Sequence, residues 1–278
     1  MPGAPIGIIA GGGVLPAELF AALRDAGRGV EVFALRGHEP AGIPADFFHV
    51  FDIERLVPLF HVLHERGVEE VVMAGAARRR RLDPERMDPD TAQLLPSLLP
   101  AFAAGDDATL RAVIALFEDA GFTVRGAGDV APGLLAAPGC LAGAEPGAAD
   151  RADIDRAAAI VAALGAADVG QAAVVAQGLC LGVEALAGTD AMLADLAPRA
   201  DTLRPDLGGA RGVLYKAPKP AQERRADLPA IGPDSVRGAA ACGLAGIAVE
   251  AGGVLILQRA ATCRAAGAAG LFLWARAP

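Results

Sequence analysis

Aromatic residues are scarce in this chain of 278 residues: they make up 4% of it, with a single tryptophan, Trp274, and a single tyrosine, Tyr215. The hydrophobic share of 53% therefore comes mostly from alanine and aliphatic residues, and it is enough for a sizeable core. Basic residues are in deficit, because 25 lysines and arginines face 33 acidic residues and leave a net charge of −8. This balance predicts no nucleic-acid partner bound through bulk charge, although a local basic site stays open.

Paired cysteines and long apolar runs are also absent. The cysteines, Cys140, Cys180, Cys242 and Cys263, form no C-x-x-C pair, which excludes zinc ribbons and thioredoxin-like motifs and predicts a reducing compartment. No basic region precedes an apolar stretch at the start, and no run reaches the about 18 apolar residues of a membrane span. We therefore expect a cytoplasmic protein, with peripheral contact to a membrane surface still open.

The first half of the chain alternates short apolar runs with amphipathic ones. Residues 6–10, 30–35 and 68–74 are predicted as buried strands, and residues 16–26 and 53–66 are predicted as helices that end at glycines. This rhythm is typical of a parallel sheet covered by helices on both faces. Ligands then bind beyond the carboxyl ends of the strands.

The length of the chain corresponds to about two domains, at roughly 150 residues each. Residues 131–149 are rich in Pro, Gly and Ala and show no sustained period, so the boundary is placed there. We predict domains 1–135 and 136–278, each of the α/β class. Within the first domain, the prolines of residues 83–100 predict an irregular segment.

A glycine turn follows the first predicted strand. Gly11, Gly12 and Gly13 lead into a helix, where backbone amides can approach a phosphate at the positive end of the helix dipole. The dinucleotide fingerprint is incomplete, because Pro16 stands where its third glycine would be. A phosphate-binding turn and a tight strand-to-helix connection both stay open.

An arginine run, residues 78–81, follows the third predicted strand. Arg78 and Arg79 are closest to the strand end, where they can form bidentate hydrogen bonds to a phosphate. A solvated run of charge is the alternative. Arg36, rather than an acidic residue, lies near the end of the second strand, which disfavours a nicotinamide dehydrogenase.

The second half contains no histidine and concentrates its polar residues in one segment. Residues 216–229 hold cationic, acidic and amide side chains in an extended, proline-rich backbone that adds nothing to a core. Its lysines and arginines can bind a diphosphate, while Glu184, Asp190, Glu223 and Asp227 supply the oxygen ligands that Mg²⁺ and Mn²⁺ prefer. This combination suits metal-assisted phosphoryl transfer to water, and a salt-bridged surface loop is the alternative.

Four blocks of sequence carry a resemblance to a known family. They are I-A-G-G-G-V-L-P at residues 9–16, D-V-G-Q at 168–171, V-E-A-L-A-G-T-D at 183–190, and K-x-x-K-P-x-Q-E-R-R-x-D-L-P-x-I-G at 216–232. In the order and spacing of these blocks, the chain resembles the LpxI-type UDP-2,3-diacylglucosamine pyrophosphatases of lipid A synthesis. The resemblance implies a Rossmann-like amino-terminal domain and a carboxyl-terminal α/β domain peculiar to the family, with the active site between them. Because two acyl chains of the implied substrate must be buried there, we predict an apolar cleft.

The resemblance also implies an activity and its partners. The activity is the Mg²⁺- or Mn²⁺-dependent hydrolysis of UDP-2,3-diacylglucosamine to 2,3-diacylglucosamine 1-phosphate (lipid X) and UMP, with water attacking the phosphorus nearer the sugar. The partners are a lipid-modified nucleotide sugar as substrate, the inner face of the bacterial inner membrane as a peripheral contact, and a second copy in a homodimer.

Site residues follow from the matching blocks together with the glycine turn and the arginine run. Glu223 stands where the family commonly has aspartate and is one methylene longer. The predicted catalytic residues are Asp227, Arg225 and Lys219; the predicted metal ligands are Asp227, Asp190, Glu184 and Glu223; and the predicted substrate-binding residues are Gly11, Gly12, Gly13, Arg78, Arg79, Gln171, Thr189, Lys216 and Gln222.

Two other functions stay open from the sequence. One is a nucleotide-dependent oxidoreductase that uses NAD(P) in the first domain, which metal-dependent release of UMP without NAD(P)H would exclude. The other is a non-enzymatic regulator that binds a nucleotide sugar or lipid without turnover. A comparison of wild type with Asp227→Ala separates this regulator from a hydrolase, since only the hydrolase loses turnover.

Overall fold

The computed structural model describes residues 3–77, 82–220 and 222–277. The chain divides into two units. The first comprises the chain up to Pro132 together with Glu223–Asp227, and the second comprises Gly133–Gln222 and the chain from Leu228 onward. The segment Glu223–Asp227 therefore belongs to the first unit, although the residues on either side of it belong to the second.

The first unit alternates strands and helices along its sequence. Its strands are β1 (Ile6–Ala10), β2 (Val30–Leu35), β3 (Phe48–Phe51), β4 (Glu70–Ala74) and β5 (Thr123–Arg125). Its helices are α1 (Leu15–Asp25), α2 (Leu56–Glu65), α3 (Pro89–Ala92), α4 (Leu95–Ala104), α5 (Asp106–Asp119) and α6 (Ala127–Val130), with 3₁₀ turns at Ala45–Phe47 and Ile53–Arg55. The strands pair in parallel, in the order β3-β2-β1-β4-β5.

The predicted parallel sheet is confirmed in this unit. The strands predicted at residues 6–10 and 30–35 are β1 and β2, and most of β1 and β4 is buried, as expected of central strands with both faces covered. The aliphatic core is completed by a small aromatic cluster, in which Phe60, Phe117 and Phe122 stack edge to face or tilted.

The prediction of an irregular segment at residues 83–100 is wrong in part, because α3 and α4 lie there. Pro89 and Pro96 occupy the first turns of these helices, where a proline costs little because that amide has no partner within the helix. The Asp88 carboxylate caps α3 by accepting hydrogen bonds from the amides of Asp90 and Thr91.

The second unit also mixes helices and strands. Its strands are β6 (Gly139–Ala142), β7 (Ala172–Ala176), β8 (Leu179–Val183), β9 (Val213–Lys216), β10 (Ala230–Ile231), β11 (Gly246–Glu250), β12 (Leu255–Ile256) and β13 (Phe272–Arg276). Its helices are α7 (Ala148–Ala166), α8 (Gly188–Leu196), α9 (Ala200–Leu203), α10 (Pro233–Ala241) and α11 (Arg259–Ala268), with a 3₁₀ turn at Ala197–Arg199. The predicted α/β class is therefore confirmed for both units.

The larger sheet of the second unit is mixed, in the order β6-β13-β11-β9-β7-β8. Strands β9, β11 and β13 are parallel, whereas β6, β7 and β8 are antiparallel to their neighbours. The register places Ala172 opposite Lys216 and Ala173 opposite Val183. Because of this antiparallel pairing, the start of β7 and the ends of β8 and β9 meet at one edge of the sheet.

Within the described residues, no helix has both the length and the apolar character needed to cross a membrane.

Candidate active site

A buried polar cluster lies where β7 begins and where β8 and β9 end. Lys216 is the last residue of β9, Glu184 directly follows β8, and Thr189 is in the first turn of α8. The Lys216 Nζ donates to Thr189 Oγ1 at 2.8 Å, and Thr189 Oγ1 donates to Glu184 Oε2 at 2.5 Å. All three residues are less than 10% exposed. A buried cation, hydroxyl and carboxylate are thereby held in fixed relation to one another.

The D-V-G-Q block positions this cluster from the side of β7. A β-carbon at Gly170 would collide with the carbonyl oxygen of Glu184, so glycine permits the close approach of the two backbones. The backbone carbonyl of the next residue, Gln171, accepts a hydrogen bond from the Ala217 amide. The Gln171 Oε1 is buried and has no hydrogen-bond partner among the described residues. A buried acceptor of this kind is satisfied when a ligand or a water donates to it.

Lys219 and Gln222 lie in the turn after β9. Lys219 Nζ is 2.5 Å from Asp168 Oδ1, which belongs to the same D-V-G-Q block. The Lys219 amide donates to Gln222 Oε1 at 2.9 Å, and the Gln222 amide donates to the Lys219 carbonyl at 3.1 Å. The second unit thus holds this turn through its own contacts.

Asp227 and Arg225 lie in the segment Glu223–Asp227, which belongs to the first unit. The Arg225 guanidinium forms a bidentate pair with Glu223, with Nε 2.9 Å from Oε1 and Nη2 3.0 Å from Oε2. The hydrogen bond from Arg225 lowers the pKa of the Glu223 carboxyl, and the same bond raises the pKa of Arg225. The Asp227 amide donates to the Glu223 carbonyl at 3.0 Å, and the Asp227 side chain is partly exposed.

The glycine turn forms backbone hydrogen bonds with the end of β4 and the residues that follow it. The Gly11 amide donates to the Ala74 carbonyl at 2.7 Å, and Gly12 and Ala76 exchange two hydrogen bonds of 2.9 Å. A β-carbon at Gly11 would lie 2.6 Å from the Ala76 carbonyl oxygen. The amides of Gly11 and Gly12 thus already have backbone partners, which is the arrangement of a tight connection.

Asp190 directly follows Thr189 of the buried cluster in the sequence. Asp190 is exposed in the first turn of α8 and can interact favourably with the positive end of the helix dipole. Gly13 has φ +92°, a left-handed conformation that favours glycine. Arg78 and Arg79 lie outside the described residues. Arg36 pairs with Asp52 at 2.8 Å.

The residues predicted to bind a metal are oxygen donors throughout, which is the chemistry that Mg²⁺ and Mn²⁺ take. Glu223 does not fit this role, because both of its carboxylate oxygens already accept hydrogen bonds from arginines. Asp190 is exposed and Asp227 is partly exposed. In the part of the chain that the structure describes, no three His, Cys, Asp or Glu side chains are grouped so that they could hold a metal.

Sequence reasoning missed the residues of α5 that contact the Glu223–Asp227 segment. Asp107, Arg111 and Glu118 of this helix bind Glu223 or Arg225. Their spacing of four and then seven residues places them on one face of a helix, which is the signal that could have grouped them. Nothing in the sequence connects that face to a segment more than a hundred residues away.

Both halves of the chain match family models. The model of the LpxI N-terminal domain matches residues 5–134, and the model of the LpxI C-terminal domain matches residues 137–274. A UDP-2,3-diacylglucosamine pyrophosphatase LpxI from Caulobacter vibrioides is 40% identical over 268 residues, which cover 96% of each chain. The predicted resemblance is confirmed, and the chain belongs to the LpxI family.

Proposed function

We propose that this chain hydrolyses the pyrophosphate of UDP-2,3-diacylglucosamine to 2,3-diacylglucosamine 1-phosphate (lipid X) and UMP. The observation that carries the proposal is the 40% identity, along 96% of both chains, to a relative that is named a UDP-2,3-diacylglucosamine pyrophosphatase. The matches to both LpxI domains support the same activity. Such a reaction needs cations and carboxylates, and the described residues provide them at Lys216, at the Lys219–Asp168 pair and at the Arg225–Glu223 pair.

Lys216 and Lys219 bind the diphosphate of the substrate. Their ammonium groups neutralise phosphate oxygens, and Lys216 is already held in place by Thr189. Gln171 Oε1 accepts a hydrogen bond from a hydroxyl or amide of the substrate, which supplies the donor that this buried atom lacks among the described residues. Gln222 fixes the turn that carries Lys219.

Water attacks the phosphorus nearer the sugar in this proposal. The bond from that phosphorus to the bridging oxygen breaks, and UMP leaves with the bridging oxygen. Asp227 takes the proton from the attacking water as the general base. Hydrolysis by this route adds the oxygen of water to lipid X.

A Mg²⁺ or Mn²⁺ ion is the proposed cofactor. Asp227 would hold it, Asp190 and Glu184 stay as ligands predicted from the sequence alone, and Glu223 is left out because arginines occupy its oxygens. When bound, the cation supplies positive charge that neutralises diphosphate oxygens.

The first unit is proposed to be a Rossmann-like domain that handles the nucleotide. Its parallel order β3-β2-β1-β4-β5 matches the strand order of dinucleotide-binding sheets. Gly13, Arg78 and Arg79 stay as residues predicted to contact the phosphates of the substrate. Gly11 and Gly12 are left out of this proposed set because their amides have backbone partners. The predicted apolar cleft stays a prediction.

We further propose that the enzyme works as a peripheral protein at the inner face of the bacterial inner membrane, with the homodimer that the family resemblance implies. Leu186 is 98% exposed and Val183 is 40% exposed, and both flank Glu184 along the chain. Exposed aliphatic side chains next to a predicted site suit a substrate with two acyl chains.

The experiment that tests the function measures UMP release from UDP-2,3-diacylglucosamine in ¹⁸O-labelled water, with and without Mg²⁺ or Mn²⁺. We expect metal-dependent release with ¹⁸O in lipid X, and a loss of about a hundredfold or more in kcat for Asp227→Asn, since general-base catalysis contributes about 10²–10⁴. Binding without UMP release by wild type would favour a regulator. Label in UMP would overturn the assigned point of attack.

A further inference from the structure

The segment Glu223–Asp227 contains no helix or strand, so its path depends on contacts with the unit to which it belongs. Ala226 packs against the hydrophobic core of the first unit. Gly126, just before α6, lies close to the segment, since a β-carbon there would be 3.5 Å from backbone atoms of Arg224 and Arg225. These contacts place the segment on the first unit, and polar contacts then determine its conformation.

Helix α5 provides those polar contacts. Asp107 Oδ1 accepts a hydrogen bond from the Glu223 amide at 2.8 Å, while Asp107 Oδ2 is 2.7 Å from Arg111 Nε. Arg111 Nη1 reaches Glu223 Oε2 at 3.5 Å, and Glu118 Oε1 accepts from Arg225 Nη1 at 2.6 Å. Together with the Glu223–Arg225 pair, these two arginines and three carboxylates form what we call the α5 network.

The α5 network holds both the backbone and the side chains of the segment. The Asp107 carboxylate binds the segment at the Glu223 amide, and the Glu223 carbonyl in turn accepts from the Asp227 amide at 3.0 Å. A continuous series of hydrogen bonds therefore leads from α5 to Asp227. Arg225 has its Nε, Nη1 and Nη2 bound to carboxylates, so it crosslinks the segment rather than presenting a free guanidinium.

We infer that Asp107, Arg111 and Glu118 are positioning residues for the hydrolysis, acting through Glu223 and Arg225 on the position of Asp227. The inference rests on the proposed function, because it takes Asp227 as the general base. It reassigns Arg225 from the predicted catalytic set to positioning. The substrate-binding lysines are held separately, since Lys216 and Lys219 have their own partners in the second unit. Loss of the network therefore lowers kcat and leaves KM nearly unchanged.

The test compares Glu118→Gln and Asp107→Ala with wild type. Glu118 is a surface residue, so its variant is expected to fold. The control is Glu31→Gln, which removes another partly exposed arginine–carboxylate pair of the same unit, at 2.9 Å from Arg66. Three quantities are measured: kcat and KM for UMP release, the melting temperature, and hydrogen exchange of the peptide that spans residues 217–230.

We expect kcat to fall about tenfold to a hundredfold in both variants with KM changed less than about threefold, because a displacement of about 1 Å is enough for such a loss. Exchange in the peptide should rise in both variants, and Glu31→Gln should change neither quantity. A lower melting temperature with unchanged kcat per folded molecule would overturn the inference, as would unchanged exchange. If wild type releases no UMP, the proposed function fails, and the exchange data alone decide whether the α5 network holds the segment.

Discussion

Gly11 and Gly75 allow two backbone segments to touch at the end of the first sheet. A β-carbon at Gly75 would lie 2.5 Å from the Gly12 carbonyl oxygen, and one at Gly11 would lie 2.6 Å from the Ala76 carbonyl oxygen. Both neighbours are backbone atoms of an isolated bridge between Gly12 and Ala76, and they cannot rotate away as a side chain can. Glycine is required at these positions by packing, whether or not a ligand binds nearby.

Replacement of Gly11 by alanine is expected to destabilise the chain by about 1–3 kcal/mol, because the added methyl overpacks against the backbone of residues 75–76. Urea unfolding measures the loss. Gly12→Ala is the matched control, since its β-carbon would lie 3.7 Å from the nearest atom, an ordinary contact. If Gly11→Ala and Gly12→Ala both keep the stability of wild type and both lose UMP release, the result would instead support a phosphate-binding turn.

At the scale of elements, charged residues join the ends of neighbouring strands. Arg36 follows β2, Asp52 follows β3, and Arg86 lies in the turn before α3. Both arginines donate to Asp52 Oδ1, at 2.8 Å and 2.7 Å. The hydrogen bond from Arg36 lowers the pKa of the Asp52 carboxyl, which makes its ionised form a contributor to the free energy of unfolding.

The Asp52 contribution to stability should depend on pH. It is fully present above about pH 3.9, the ordinary aspartate pKa, and is lost as the pH falls through the lowered pKa of the folded state. Because both arginines are about half exposed to solvent, we expect Asp52 to contribute up to about 1 kcal/mol to the free energy of unfolding. Urea unfolding of wild type and Asp52→Asn from neutral to acid pH measures this difference. A difference that stays constant at acid pH would contradict the assignment.

At the scale of the whole molecule, the two units divide the predicted site residues between them. The buried cluster of Lys216, Thr189 and Glu184 belongs to the second unit, whereas Asp227 belongs to the first. Asp227 follows Lys216 by eleven positions in the sequence, and the two residues belong to different units. The K-x-x-K-P-x-Q-E-R-R-x-D block therefore supplies predicted site residues to both units.

The peripheral membrane contact is tested through Leu186. Leu186→Ser should weaken sedimentation with phosphatidylglycerol vesicles by about tenfold to a hundredfold, since burial of a leucine is worth about 1.5–3 kcal/mol. Leu207→Ser is the control, because Leu207 is 71% exposed in the same unit but lies away from the predicted site along the sequence. Equal losses in both variants would point to nonspecific adhesion instead.

The sequence by itself determined the alternation of strands and helices, because burial of short apolar strands and amphipathic helices is encoded in local periodicity. Strands β1 and β2 and the α/β class were predicted in this way, and the four sequence blocks identified the family. Short elements such as β3 and the proline-initiated α3 and α4 were missed, since their formation depends on packing against neighbours rather than on their own pattern.

Only the tertiary structure decided which residues meet. The antiparallel pairing of β7 with β8 and β9 brings Gln171, Glu184 and Lys216 to one edge of a sheet, although they are far apart in sequence. Likewise, Asp107 and Glu118 bind a segment that follows them by more than a hundred residues. Sequence patterns report local burial, whereas hydrogen bonds and ion pairs depend on distances that exist only once the unit that contains them has folded.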